Sequence, residues 1–298
     1  MRDPQVVSFP MFDLPELSGQ TDRLWSAWRD ATSEVGDGPL NRVEPSLALL
    51  DHWSSDAILL TQTCGYPFVA ALSHRFLIGT FAYDCLNDDD PDGWYRALLV
   101  TRASHHHQSL RNYDGLPLVV NNLDSLSGCV SLGVALLDAG VTSIGPVTET
   151  GAHATSLALV QSGKADLACV DAITWSLLSR VRPSAVAELR IVAKGPLIPC
   201  PPFISGDFAS AQKFRSSAPA ALNALRAESP ETLRSLGIRG FVPMTQDAYD
   251  ATLGLADRAA QLLPVALRPN NLDRATSGKS ELRTQNCSRS GERGGPSL

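Results

Sequence analysis

The chain has 298 residues, of which 44% are hydrophobic and 19% are charged, the composition of an ordinary globular protein with one or two domains. Its formal net charge of −6 argues against a general nucleic-acid binder, which would be basic. This charge is compatible with a small anionic ligand, because a local site can be rich in backbone N–H groups. The chain contains no apolar run near the roughly 20 residues that cross a bilayer, so we expect no membrane insertion.

The N-terminal stretch and the cysteines both bear on the cellular compartment. Residues 1–17 lack a continuous apolar segment and carry Asp3 early, so they do not resemble a signal peptide. The sequence as given therefore predicts a cytoplasmic protein, or a periplasmic one if the true start lies upstream. The six cysteines show no CxxC spacing and are predicted to be reduced and mostly buried; they are Cys64, Cys85, Cys129, Cys169, Cys200 and Cys287.

The first hundred residues alternate between predicted strands and helices. Strand patterns occupy residues 6–12, 56–63, 76–83 and 94–102, and helical patterns occupy 18–35, 45–53 and 67–74. In the first helix, Leu24, Trp25 and Trp28 line one face. Near-continuous apolar strands that alternate with helices indicate a parallel sheet covered on both faces.

The same alternation restarts after residue 116. Strands are predicted at 117–122, 142–149, 165–170 and 188–194, and helices at 127–140, 154–161 and 172–181. Residues 195–202 are too rich in proline for a helix, and helices at 208–226, 230–236 and 246–264 complete the fold. Residues 271–298 have almost no apolar side chains, so we predict a disordered tail in which Cys287 is exposed.

Two serines lie where the strand at 117–122 gives way to the next helix. The helix is expected to begin near Ser127, with Ser125 just before it and Gly128 just after it. Hydroxyls, unpaired backbone N–H groups and the positive end of the helix dipole together make an anion site, and glycine permits close backbone approach. The alternative is that Ser127 simply caps its helix. Because Ser125 precedes the helix, we expect its own capping contribution to be small.

Two further polar residues lie at the ends of predicted elements. His153 begins the next helix, where it either faces the same anion or serves as a surface or capping residue. Asp171 ends the strand at 165–170. It either accepts a hydrogen bond from a ligand hydroxyl, repels a second negative charge, or caps the helix at 172–181.

The sequence offers little support for a metal or a catalytic motif. The histidines at 105–107 would point in alternating directions along an extended loop, without Cys, Asp or Glu at ligand spacing, so we expect no metal site. GxSxG, HExxH and Cys–His signatures do not occur, so we predict no catalytic residues and no cofactor.

Five segments share their order and spacing with one protein family. They are LLTQTCGYPF (59–68), DGWYRALLVTR (92–102), NNLDSLSGCVSLG (121–133), TGAHATSLALVQSGKADLACVDAITW (150–175) and KGPLIPCPPFI (194–204). Over residues 5–265 the chain resembles the phosphate-, phosphite- and phosphonate-binding proteins of ABC transporters.

This resemblance implies an α/β fold of the type 2 periplasmic-binding kind. Mixed sheets flanked by helices would form two lobes with a ligand cleft between them, and the lobes would close on the ligand by hinge motion. Lobe one would comprise residues 1–100 and 190–268, and lobe two residues 101–189. The strands at 96–102 and 188–194 would cross between the lobes.

The resemblance also implies roles for individual residues. Ser125 and Ser127 match the serine-rich helix start that holds the phosphoryl oxygens, and His153 joins them from the next helix. Tyr66 and Tyr95 match aromatic residues that close over the ligand.

Two features bear on which ligand is expected. Asp171 lies near the polar strand end of the family. Members that bind aminated phosphonates use carboxylates for the amine, whereas residues 196–204 offer Cys200 and no acid in the corresponding loop. We therefore expect a simpler oxyanion.

The sequence leaves two classes of function open. The first is a non-enzymatic binding protein for phosphate, phosphite or a phosphonate, working with an ABC transporter permease. The second is a cytosolic enzyme or ligand sensor that uses the same fold for a small anionic metabolite, because fold does not fix function. An enzyme would need a titratable group beside its substrate, and His153 is the best candidate.

Overall fold

The strands and helices are taken from a computed structural model, which describes residues 5–32, 39–42, 49–84 and 89–267. Strands in these ranges are β1 (Val6–Ser8), β2 (Ile58–Gln62), β3 (Phe76–Tyr83), β4 (Trp94–Arg102), β5 (Leu118–Val120), β6 (Val147–Glu149), β7 (Leu167–Val170), β8 (Leu189–Pro199), β9 (Phe203–Ser205) and β10 (Ile238–Val242). Their α-helices are α1 (Ser18–Thr32), α2 (Leu49–Trp53), α3 (Gly65–Ala71), α4 (Ser131–Asp138), α5 (His153–Gln161), α6 (Ala172–Val181), α7 (Phe208–Glu228), α8 (Pro230–Leu236) and α9 (Gln246–Ala259).

The strands form two five-stranded sheets. The first has the order β1-β2-β9-β3-β10 and the second has the order β6-β5-β7-β4-β8. Both are mixed sheets flanked by helices, as the resemblance predicted. The chain passes from the first sheet to the second between β3 and β4 and returns between β8 and β9.

The strand and helix alternation predicted a parallel sheet, and for most strand pairs this is wrong. Among the described strands, β1 is parallel to β2, and β5 is parallel to both β6 and β7. The remaining pairs are antiparallel. The reason is visible at β9, which enters between β2 and β3 and runs against both. The chain returns from the second sheet where β2 ends, so Phe203 lies opposite Gln62.

β4 and β8 include the segments predicted to cross between lobes. They pair antiparallel from Trp94 opposite Pro199 to Arg102 opposite Leu189. Both belong to the second sheet by their hydrogen bonds. The predicted lobe boundaries at residues 100 and 190 fall inside these strands and stay a prediction.

Three local features differ from the sequence-based expectations. β9 follows the proline-rich segment and β10 lies between α8 and α9, and neither strand was predicted. The helix expected at 127–140 begins one residue earlier, as a π-helical segment at Leu126–Val130 that continues into α4. Its predicted end is confirmed, because Gly140 has a φ of 76°, which glycine adopts readily.

The core of the first sheet is aromatic. Leu24, Trp25 and Trp28 are buried as predicted, and α1 packs against α7. The indole Nε1 of Trp28 donates to the Phe214 carbonyl at 3.0 Å, and its ring meets the Phe203 ring edge-on at 5.1 Å between centroids. This packing holds β9 beneath the two helices and fixes the edge of the sheet at which β1 and β2 end.

Four cysteines lie in the described ranges, and all four are free and buried as predicted: Cys64, Cys129, Cys169 and Cys200. Cys85, Cys287 and the predicted disordered tail at 271–298 lie outside the described residues. No helix within those ranges has both the length and the apolar composition needed to cross a bilayer.

Candidate functional site

The predicted site residues follow the carboxyl ends of strands in both sheets. β5, β6 and β7 are mutually parallel neighbours, so their carboxyl ends meet at one edge of the second sheet. Ser125, His153 and Asp171 follow these three strands in turn. Ligands of open α/β sheets bind at such an edge.

Ser125 is the N-cap of the π-helical segment. Its Oγ accepts a hydrogen bond from the Gly128 N–H at 3.0 Å, and its carbonyl accepts one from the Val130 N–H. The expectation that the helix starts near Ser127 and that Ser125 contributes little to capping is therefore wrong. The segment begins one residue earlier, so the capping position moves back to Ser125.

Ser127 connects the starts of two helices. Its Oγ lies 3.1 Å from Nε2 of His153, the first residue of α5, and the donor of this hydrogen bond depends on the imidazole tautomer. Ser127 is buried, and His153 is partly buried. The pair therefore holds the N-terminus of α5 next to the π-helical segment that leads into α4.

His153 also has an imidazole nitrogen without a partner. Its Nδ1 is buried and makes no hydrogen bond to the described residues. Burial disfavours the charged imidazolium and lowers the pKa of His153 to about 4. The imidazole is therefore neutral at pH 7, with one nitrogen on Ser127 and the other available.

Gly128 leaves space for the side chain of Asn121. A Cβ at Gly128 would lie 2.0 Å from Asn121 Oδ1, a distance that two atoms without a bond cannot adopt. That amide oxygen is itself buried and without a hydrogen-bond partner in the described structure. The close approach expected at Gly128 is thus made by Asn121, a residue that sequence reasoning did not single out.

Asp171 is the N-cap of α6, one of the roles expected for it. Its Oδ1 accepts from the Ile173 N–H at 2.8 Å and the Thr174 N–H at 3.0 Å. Its Oδ2 accepts from the Tyr95 hydroxyl at 2.6 Å. Burial raises the pKa of Asp171, although these hydrogen bonds favour the charged form. The N-terminus of α6 is therefore occupied by the protein's own carboxylate.

Tyr66 comes from the first sheet, on the helix that follows β2. It lies buried in the first turn of α3, and Cys64 is the N-cap residue of that helix. Cys64 Sγ accepts a hydrogen bond from the Leu126 N–H at 3.3 Å. A Cβ at Gly65 would meet the Leu126 side chain at 2.9 Å. The helix start after β2 therefore contacts the helix start after β5, so the site is assembled between the two sheets.

Three sites of potential negative charge surround this contact. Burial raises the pKa of the Cys64 thiol to about 11, and the nearby carboxylates of Asp124 and Asp171 raise it further. Burial and the charge of Glu149 also raise the pKa of Asp124. An anion bound here must be held by N–H and O–H donors, and these carboxylates would oppose a second negative charge on it.

The histidines at 105–107 lie away from this site. The rings of His105 and His107 are 4.5 Å apart between centroids, and His105 stacks on Tyr113. Asp166 Oδ1 lies 3.3 Å from His105 Nε2. The described residues contain no group of three or more His, Cys, Asp or Glu side chains arranged to hold a metal ion.

Replacing Ser125 with alanine is expected to lower the free energy of unfolding by about 1 kcal/mol without ligand, because the Gly128 N–H loses its acceptor. Urea denaturation of both proteins measures this difference. Ser162→Ala, at the exposed C-terminal end of α5, is the control and should change stability by less than 0.5 kcal/mol, as is typical of surface positions. An unchanged midpoint for Ser125→Ala would contradict the capping role.

A sequence comparison identifies the family. Residues 64–249 match the family profile described as the periplasmic substrate-binding protein of phosphonate ABC transporters. The chain belongs to this family. The matched range includes every residue predicted for the site, from Tyr66 to Asp171. No curated protein sequence matches the chain closely enough to count as a relative.

Solved structures show the same fold at low sequence identity. PhnD1 from Prochlorococcus marinus, in complex with methylphosphonate, is 16% identical with a TM-score of 0.68, covering 87% of this chain and 100% of its own. A binding protein component of an ABC phosphonate transporter from Pseudomonas aeruginosa is 17% identical with a TM-score of 0.66, covering 95% and 99%. The alkanesulfonate-binding protein SsuA from Xanthomonas axonopodis pv. citri, bound to MOPS, is 15% identical with a TM-score of 0.59, covering 90% and 97%.

Proposed function

We propose that this protein binds a phosphorus oxyanion, a phosphonate or phosphite, in the cleft between its two sheets and presents it to an ABC transporter permease. The observation that carries this proposal is the Ser127–His153 hydrogen bond, which brings two helix N-termini together beside Cys64 of the other sheet. Helix N-termini favour anions through their unpaired N–H groups and their dipoles. Family membership and the methylphosphonate bound to PhnD1 support the same class of ligand.

Within this proposal, the predicted site residues have different roles. Ser127 and His153 contact the oxyanion, and Ser125 shapes the loop by capping it. Gly128 leaves room for Asn121, whose amide adds a further polar group. Tyr66 closes the cleft from the first sheet.

Tyr95 and Asp171 form a separate pair at the base of the cleft. Because Asp171 is a buried carboxylate, it opposes a ligand with two full negative charges and favours one that keeps a proton. Phosphonate and phosphite can keep this proton at neutral pH. We therefore propose that the pair selects a protonated oxyanion.

The Ser127–His153 pair also has the composition of a nucleophile and its base, yet a binding role fits better. A catalytic histidine is oriented by a third group on its other nitrogen. His153 Nδ1 has no hydrogen-bond partner among the described residues. The nearby carboxylate, Asp171, is committed to Tyr95 and to the start of α6. We therefore propose no catalytic role for this pair.

A thermal-shift series tests the proposed ligand. Methylphosphonate and phosphite are expected to raise the melting temperature, because a ligand at about 100 times its Kd stabilises by about 2.7 kcal/mol. Sulfate and methanesulfonate have no proton to offer at neutral pH and should give a much smaller shift. A protein that responds to none of the phosphorus anions would contradict the proposal.

Calorimetry of two serine variants extends this test to the residues. Ser127→Ala removes a hydrogen bond to a charged ligand, which is worth about 1.5–3 kcal/mol, so we expect at least tenfold weaker binding. The exposed Ser162→Ala serves again as the matched control. Equal affinity in Ser127→Ala and wild type would remove Ser127 from the site.

A further inference from the structure

A small apolar cavity lies where α6 packs against the first sheet. Its volume is about 30 Å³, and its walls include Phe9 and Phe12 after β1, Tyr83 at the end of β3 and Leu177 of α6. None of the described residues that line it carries a charge. A space of about 10–15 Å³ holds one water-sized group, so the cavity has room for two or three non-hydrogen atoms.

The polar group at one end of this cavity is already hydrogen bonded. Gln62, the last residue of β2, donates from Nε2 to the Tyr83 hydroxyl and to the Pro201 carbonyl, each at 3.4 Å. Thr21, also in the wall, donates from its hydroxyl to the Leu17 carbonyl. The cavity therefore offers few unpaired polar groups and suits a hydrocarbon group.

Two chain segments connect the cavity to the proposed oxyanion site. Gln62 precedes Cys64 by two residues, roughly 7 Å along an extended chain, and Cys64 contacts the Leu126 N–H. Leu177 lies six residues after Asp171 on α6, about 9 Å along the helix axis. The cavity is therefore within reach of a short group attached to an oxyanion held at Ser127 and His153.

We propose that this cavity takes the organic substituent of the ligand, so that the protein prefers short unbranched alkylphosphonates to phosphite and to aminoalkylphosphonates. This inference rests on the proposed function. Each methylene moved from water to an apolar cavity is worth about 0.8 kcal/mol, which is about a fourfold gain in affinity. An ammonium group in the same place loses its hydration, and no carboxylate lines the cavity to replace it.

Calorimetry with phosphite and with methyl-, ethyl-, propyl- and butylphosphonate tests the preference on the intact chain. Affinity is expected to rise about fourfold per carbon until the cavity is full. 2-Aminoethylphosphonate has the same number of non-hydrogen atoms as propylphosphonate and is expected to bind at least tenfold more weakly.

Three results are distinguishable in this series. Affinities that are flat or falling along the alkyl series would overturn the cavity assignment. Tighter binding of the aminoethyl compound would also overturn it and would point to Asp13, which follows Phe12 and is paired with Arg42 at 2.9 Å. Failure of every compound to bind would contradict the proposed function itself.

Variants that fill the cavity provide an independent test. Leu177→Phe, and Leu24→Phe from α1, are expected to reduce the ratio of propylphosphonate to phosphite affinity at least tenfold. Leu159→Phe makes the same change on α5, outside the cavity, and should keep the wild-type ratio. Melting temperatures establish that each variant folds, and an unchanged ratio in both cavity variants would overturn the proposal.

Discussion

Asp171→Ala is expected to lower the free energy of unfolding by about 3 kcal/mol or more. The change leaves three buried donors without an acceptor: the Tyr95 hydroxyl and the N–H groups of Ile173 and Thr174. Each unsatisfied buried group costs about 1–3 kcal/mol, and the helix also loses its N-cap. Urea denaturation with and without ligand measures the loss.

Tyr95→Phe separates the two functions of the Asp171 carboxylate. This variant removes one hydroxyl and keeps the cap of α6, so it should cost about 1–2 kcal/mol, less than Asp171→Ala. Asp171→Asn keeps an acceptor for the helix N–H groups and should fall between the two. A loss below 1 kcal/mol in Asp171→Ala would show that the carboxylate is not a structural support of the cleft.

The second large effect is expected from His153 as the pH falls. Its pKa is lowered from 6.5 to about 4 in the folded protein, because burial disfavours the imidazolium. The unfolded chain therefore binds the proton more readily between pH 6.5 and 4, so stability falls as the pH drops through this range. The full loss is about 3 kcal/mol, at about 1.4 kcal/mol per pH unit in the middle of the window.

The difference between wild type and His153→Gln isolates this contribution, since other groups titrate in both proteins. His153→Gln should lack this part of the pH dependence, while His74→Gln, at an exposed position, should retain it. An oxyanion beside the imidazole would favour the imidazolium and raise the pKa of His153. Ligand binding near pH 5 should then take up a proton, which calorimetry in buffers of different ionisation enthalpy detects. Parallel stability profiles for wild type and His153→Gln would contradict the buried neutral imidazole.

The elements that the sequence predicted well are those with a strong local pattern. β3 and β4 occupy the predicted residues, and so does α6, because apolar runs and periodicity specify them without help from the rest of the chain. β9 and β10 were missed. β9 is three residues long and follows a proline-rich loop, and it becomes a strand only because β2 and β3 leave an edge open on each side of it.

The site was predicted by position better than by interaction. Strand ends and helix starts indicated Ser127, His153 and Asp171, since these positions can be read from the pattern. The partner of each group depends on how the two sheets meet, and that is set by distant packing. Cys64 and Asn121 were missed as site residues for this reason. The only available signal was that both directly follow a buried strand.

The contact between Cys64 and Leu126 has a chemical consequence. A thiol with a pKa of about 11 is ionised in roughly one molecule in 10,000 at neutral pH, and the thiolate is the form that oxidants and alkylating reagents attack. Burial also keeps such reagents away from the sulfur. The cleft thus contains a cysteine that acts as a hydrogen-bond acceptor and resists modification, so this protein can work in oxidising surroundings without a disulfide to protect it.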